Sequence, residues 1–426
     1  MIASPARLDR ATVDRLGEER LDWRFKSVPD ALFGLTVAEA VERRPDLFDF
    51  VGPVVALDGP ALDHNLATMA AWTAERGLLL APHGKTTMAP SLFARQLDHG
   101  AWAITAATAG QLRVYRAFGV SRVVLANEFL DPAGLRWLAA ELDGDPGFEF
   151  TCWVDSVRGV ELMTEAWTGA RPVDVLVEVG VPGGRTGARD LDTARAVAAA
   201  IVASPALRLA GVGGYEAPAS ADASPAGLDA VAAYLDRLRA TVRELSFETE
   251  QVIVTAGGSA FFDLVADALS APWPVPVLPV LRCGTYLTHD DGFYREISPL
   301  GDHPRVSGPP LRSALRAWAQ VVSRPEPGLA LLAAGKRDLP YDLGLPVPRL
   351  RRTPTGVTAL TGCAVTALND QHAFLRADAG AHLAVDVGDW VGLGLSHPCT
   401  TFDKWSLLPV TAADGRTVTG FVRTFF

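Results

Sequence analysis

Lysine is scarce in this chain: Lys26, Lys85, Lys336 and Lys404 are the only four in 426 residues, and the other 35 of its 39 basic side chains are arginine. Arginine serves wherever charge alone is needed. A guanidinium stays protonated and forms no Schiff base, whereas a lysine amine can lose its proton and attack a carbonyl, so each retained lysine is a stronger chemical candidate than usual. Cysteine is scarce too. Cys152, Cys283, Cys363 and Cys399 are far apart with no C-x-x-C spacing, which argues against a disulfide framework and a four-cysteine zinc site while leaving a single cysteine free to bind metal. Excess positive charge is missing: the net charge is -10, the sequence pI is near 5.3 and no Lys/Arg cluster offsets them locally, which argues against a nucleic-acid partner. Long apolar runs are missing as well. Residues 1–10 hold no apolar leader core, and no later stretch reaches the roughly 18 uncharged apolar residues of a membrane helix. The expectation is a cytoplasmic protein with neither a nucleic-acid nor a membrane partner.

What is present is a long alternation. From about residue 78, short β-rich apolar runs over 78–85, 103–108, 123–127, 149–155, 174–179, 208–216, 251–258 and 277–284 are separated by stretches with apolar residues at three- and four-residue intervals, the mark of parallel βαβ units. Eight such strands close most simply into a (β/α)8 TIM-like barrel, which takes about 250 residues. Turn residues then gather at 305–310 and 323–327, and runs at 329–334, 356–367, 373–377 and 420–425 read as strands without intervening helices. The expected organisation is an N-terminal extension over 1–50, a barrel over 51–290 and a mostly β domain over 291–426, to which 54–57 returns as a strand. The role of the extension is not legible.

Barrel chemistry sits at the carboxyl ends of the strands, and Lys85 follows the first of them in Pro82-His83-Gly84-Lys85-Thr86-Thr87. By position alone a loop lysine explains it equally well. Two glycine-bearing segments favour chemistry. The seventh run ends Ala256-Gly257-Gly258-Ser259 and the eighth Arg282-Cys283-Gly284-Thr285-Tyr286. Loops in that place recurrently bind phosphate, because free backbone N–H groups and a helix amino terminus converge on the dianion. Taken alone, Gly-Gly-Ser is more often a tight turn.

These segments, with Gly183-Gly184-Arg185-Thr186-Gly187 and His397-Pro398-Cys399, together resemble the D-serine dehydratase/D-threonine aldolase family of alanine-racemase-like, fold-type III pyridoxal-phosphate enzymes, over roughly residues 54–405. The resemblance implies a barrel followed by a β domain, assembled as a homodimer. It implies that Lys85 carries pyridoxal 5′-phosphate and removes the Cα proton, and that Arg185 holds the cofactor's phenolic oxygen. Tyr215 would meet the pyridine ring, and Gly258, Ser259, Gly284, Thr285 and Tyr286 would bind the phosphate. A loop arginine paired with Glu178 or Asp190, and a plain barrel-mouth tyrosine, remain the alternatives for Arg185 and Tyr215.

In an extended segment residues two apart share a face, so His397 and Cys399 can converge on one ion. Imidazole and thiolate suit Zn2+, with further positions open to water and substrate. Apart from its context, such a pair is more often a buried cysteine beside a hydrogen-bonded histidine. Within the family, His-x-Cys resembles the dehydratase pattern and His-x-Asp, with a harder metal, the aldolase pattern. The first expectation is therefore pyridoxal-phosphate- and zinc-dependent β-elimination from a β-hydroxy D-amino acid such as D-serine. The alternatives are a metal-dependent D-threonine-type aldolase and a non-catalytic pyridoxal-phosphate carrier. His372 reads as an outer partner or acid facing the same site, or equally as part of a surface turn, and Lys336 as part of a structural or interface loop.

Overall fold

Apolar runs flanked by glycine and proline pair side by side in the computed structural model, which describes residues 4–426; the first three residues of the N-terminal extension lie outside the described residues. The first strand, β1 (Val54–Asp58), precedes the barrel. The barrel itself comprises β2 (Leu79–Leu80), β3 (Ile104–Ala106), β4 (Arg122–Glu128), β5 (Glu149–Val154), β6 (Val173–Val179), β7 (Leu207–Gly214), β8 (Val252–Ala256) and β9 (Val277–Leu281). All pairings are parallel, in the order β2-β9-β8-β7-β6-β5-β4-β3. The sheet curls until its edges meet, where Trp102 N donates to Leu80 O and Thr105 N to Pro82 O. Trp102, Val124, Trp153, Leu176, Ala210, Ile253 and Val280 fill the interior.

The helices between strands start on side-chain caps. Asp131, Asp190 and Ser224 each accept a backbone N–H of the following turn, and Pro132 and Pro225 open their helices at the first helical position, where the missing N–H costs nothing. The expected first barrel strand over 78–85 is shorter than read. Pro82 has no N–H to continue the ladder, and Gly84–Thr86 coils into a 3-10 turn, so Lys85 sits on a turn just beyond the strand.

The second domain is richer in strand than the sequence reading made it. It holds β10 (Leu315–Glu326), β11 (Leu329–Leu332), β12 (Val347–Thr353), β13 (Gly356–Ala359), β14 (Cys363–Leu368), β15 (Ala373–Ala377), β16 (Trp390–Gly394), β17 (Leu407–Thr411) and β18 (Val418–Arg423). β1 lies inside this sheet, antiparallel to β10 and parallel to β17. The expected strand over 356–367 is two strands, because Gly362 at φ 73 breaks it. Residues of the N-terminal extension bind both domains. Ala6 N donates to Trp102 O and Asp9 N to Phe118 O on the barrel, while Leu21, Phe25, Leu32 and Phe50 pack with Trp318 and Val418 of the β domain. No helix among the described residues is long and apolar enough to cross a membrane.

Candidate active site

The carboxyl ends of the barrel strands and one turn of the β domain enclose a cavity of about 370 Å³. Of the expected residues, Lys85, Arg185, Tyr215, Gly258, Ser259, Gly284, Thr285, His397 and Cys399 all line it. Tyr286 does not. It is 2 % exposed within the hydrophobic core, and its hydroxyl accepts from Gln96 Nε2 at 3.3 Å. The 3-10 turn Thr285–Leu287 rotates it away from Thr285. His372 is exposed beyond β14, and Lys336 is exposed in the β domain.

Burial lowers the pKa of the Lys85 amine, and the positive charges of Arg185 and Arg282 add to that against the opposing effect of Cys399. A lysine so placed gives up its proton more readily than one in water. Two residues earlier His83 lines the same cavity, its pKa well below the usual imidazole value through desolvation and then the charges of Lys85, Arg282 and Arg185, with Nδ1 unpaired.

Gly284 lets β9 close on β2, because a Cβ there would stand 2.8 Å from His83 Cβ. Gly258 likewise leaves room for the Tyr215 ring, which a Cβ would meet at 2.7 Å. The amides of Gly257 and Gly258 donate to the Glu216 carboxylate at 3.0 and 2.6 Å, so Gly258 offers close approach rather than a free N–H. Thr285 Oγ1, by contrast, is buried without a partner. That orphaned hydroxyl beside Ser259 and Gly284 fits a phosphate, since a buried polar atom left unpaired is costly. Burial, and next the charge of Glu216, push the Tyr215 hydroxyl up to about 12. The Arg185 guanidinium lies 4.8 Å from the centre of the Tyr215 ring.

Arg282 lies in the eighth apolar run and Glu216 ends the sixth, and neither position by itself points to a role. Arg282 is fully buried, bonded to Thr255 Oγ1 and Gly214 O at 2.6 Å each, stacked 4.7 Å from the Trp153 ring, and left with Nε unpaired. A local sign was available, since an arginine directly after a fully apolar barrel strand must find buried partners.

His397 and Cys399, the expected metal pair, adopt a different backbone from the one expected. His397 has φ 56, Pro398 is helical and Cys399 opens the short helix Cys399–Phe402, so a turn and not an extended segment brings imidazole and thiol together. Cys399 Sγ lies 3.3 Å from Thr86 Oγ1, next to Lys85. His397 Nδ1 bonds the Asp342 carboxylate, whose other oxygen accepts from Thr400 Oγ1 at 2.8 Å. A carboxylate on Nδ1 fixes the ring and leaves Nε2 for an ion, the usual outer support of a metal-binding histidine. The donor set therefore fits a cation held by one nitrogen and one sulfur.

Glu128, Asp155 and Glu178 are a further group that periodicity could not reveal. They stand at the ends of three adjacent strands with carboxylate oxygens within 4.8 Å of one another, and Glu128 and Glu178 keep unpaired oxygens. Burial, then the neighbouring Glu178 carboxylate, push Glu128 up to about 9 from its ordinary 4.5. The folded protein thus keeps a proton that the unfolded chain releases, and stability falls as pH rises from about 4.5 toward 9. Glu128→Gln removes that cost while still donating to Glu178. Its melting temperature should exceed wild type by more at pH 8 than at pH 5. A variant that loses stability at pH 8 would show that a cation, and not a proton, neutralises the group.

Residues 314–411 match the family described as "Putative serine dehydratase domain". D-threonine aldolase of Arthrobacter sp. is 27% identical over 354 residues, 82% of this chain and 86% of that protein. The crystal structure of D-threonine aldolase from Filomicrobium marinum superposes with TM-score 0.73 at 26% identity, covering 89% of this chain and 96% of that one. D-threo-3-hydroxyaspartate dehydratase from Delftia sp. HT23 gives 0.67 at 21%, covering 89% and 99%, a likeness of fold. The two superpositions span both the barrel and the β domain, over 96% and 99% of those chains. The chain is related in sequence to D-threonine aldolase and 3-hydroxy-D-aspartate aldolase, and its fold is that of the alanine-racemase-like, fold-type III pyridoxal-phosphate enzymes.

Proposed function

We propose that this chain cleaves the Cα–Cβ bond of a β-hydroxy D-amino acid by a metal-assisted retro-aldol reaction, giving glycine and an aldehyde. The observation that carries the reading is the meeting of Lys85 from the barrel with His397 and Cys399 from the β domain in one cavity. Pyridoxal phosphate, when bound, supplies the electron sink for charge developing at Cα. Lys85 would carry it, with Ser259, Gly284 and Thr285 on the phosphate, Arg185 on the phenolic oxygen and Tyr215 against the ring. His397 and Cys399 would hold a divalent cation over the β-hydroxyl, and Asp342 would orient the imidazole. Beside a cation held there the β-hydroxyl would lose its proton to water as the Cα–Cβ bond breaks, and Lys85, its pKa lowered by burial, would deliver the proton that Cα gains to become glycine. Thr86 Oγ1, beside Cys399, offers a hydrogen-bonding group at the cation's edge.

Sequence reasoning put dehydration first. The relatives found by sequence at 27% and 24% identity are aldolases, as is a solved structure at 26%, and they support carbon–carbon cleavage as the leading reading. One observation favours β-elimination as the second reading: Cys399 gives the cation a soft thiolate where a carboxylate would suit a harder metal. Product analysis separates the two. D-threonine, D-serine and 3-hydroxy-D-aspartate are incubated with the cofactor-loaded enzyme, with and without chelator. Glycine and aldehyde are expected, lost on chelation and restored by added metal. Release of a 2-oxo acid and ammonia would transfer the assignment to elimination, and release of neither product would overturn both readings.

A further inference from the structure

Asp290 lies just beyond the expected phosphate loop, where the barrel hands the chain to the β domain, and it is completely buried. Its Oδ1 accepts three backbone N–H groups, from Gly292 at 3.0 Å, Tyr294 at 2.9 Å and Arg295 at 3.1 Å. Its Oδ2 accepts a fourth, the N–H of His397, at 3.0 Å. Two of these donors, Tyr294 and His397, line the cavity. Around this carboxylate the segment leaving the barrel is stitched to the stretch that leads into His397. Asp291 N donates to Leu395 O at 2.8 Å, Phe293 N to Ser396 Oγ at 3.2 Å, and a Cβ on Gly292 would stand 2.7 Å from Ser396 Cβ.

The bond to His397 has a particular consequence. His397 occupies the left-handed region, at φ 56, which a side-chain-bearing residue keeps only when its surroundings hold it there. The Asp290 carboxylate is the partner of the His397 N–H. Without it the turn can relax toward negative φ, which would swing the imidazole away from Cys399.

On the reading of His397 and Cys399 as a metal pair, we propose that Asp290 is a positioning residue that sets the metal turn in register with the cofactor cavity. A charged acceptor is suited to this task, since bonds to an ionised carboxylate are stronger than neutral ones. Asp290 does not line the cavity, and it acts through the backbone of His397.

Asp290→Asn is the discriminating variant. Its carboxamide oxygen can keep the three N–H groups of residues 292, 294 and 295, while its NH2 faces the His397 N–H and cannot accept from it. Wild type and variant, both loaded with pyridoxal phosphate, are titrated with Co2+ and followed by the metal's visible and thiolate charge-transfer bands. Cobalt affinity should fall by about 10–100-fold, the usual cost of removing an outer support of a metal ligand. Cofactor occupancy should stay at the wild-type level, and turnover should recover at high cobalt. Unchanged cobalt affinity would overturn the inference alone, as would parallel loss of cofactor and cobalt, which marks a general scaffold role. Wild-type protein that takes up no cobalt would overturn the metal reading itself, and this inference with it.

Discussion

Lys85→Ala protein, purified and reloaded with pyridoxal phosphate, will lack the visible absorption of covalently held cofactor and will lose turnover by on the order of 10³-fold or more, the scale of removing a positioned proton-transfer group together with the covalent link. Lys85→Arg will fail to the same degree, because a guanidinium neither forms an imine nor gives up its proton. The other three lysines offer no substitute. Lys26 is 3.0 Å from Asp338 and 4.0 Å over the Trp405 ring, Lys336 stands 5.5 Å over Tyr341, and Lys404 is 3.5 Å from Asp403. None of them lines the cavity that Lys85 enters. Borohydride reduction followed by peptide mapping should place the label on Lys85. A label on Lys336 would refute the assignment.

Cys399→Ala will retain cofactor loading, since the lysine and phosphate contacts lie on the barrel, while cleavage of the β-hydroxy substrate falls by about 10³-fold. That factor corresponds to the several kcal/mol a Lewis acid supplies at an oxygen that must take up negative charge. β-Chloro-D-alanine provides the internal control. Chloride leaves without metal help, so its elimination should survive the substitution far better than turnover of D-threonine or D-serine. The quantity to measure is the ratio of the two rates in wild type and variant. Should both fall by one factor, His397 and Cys399 serve only to hold the fold, and metal-assisted chemistry is excluded. Cys399→Asp hardens the donor set and should shift metal preference from Zn2+ toward Mn2+.

Most of what these experiments target was legible in the chain before its coordinates. Lys85 could be singled out because the chain uses arginine almost everywhere else and because the motif follows an apolar run. Ser259, Gly284 and Thr285 could be assigned to one loop cluster because the eight runs count off in order around a barrel. The β domain was read less well. The reading took 323–327 as turn residues, yet Leu315–Glu326 is one strand that bends out of one pairing into another, with register shifts opposite Leu331 and Leu329. Composition shows the glycines and prolines of such a bend without showing that the ladder continues through it.

What the sequence by itself determined is the parallel barrel, the strand ends around its mouth and the residue types gathered there, since these follow from local periodicity and from spacing along the chain. Only the tertiary structure decided which backbone donors are already taken. Glu216 occupies the amides of Gly257 and Gly258, and Asp290 reaches 107 residues along the chain to the N–H of His397. It also decided that Tyr286 serves the core, that half-buried Glu128 and Asp155 meet buried Glu178, and that a left-handed turn, not a strand, joins His397 to Cys399. The physical reason is the same in each case. A buried hydrogen-bonding group must find a partner wherever the fold offers one, and that partner lies on another strand or in another domain, beyond the reach of any local pattern.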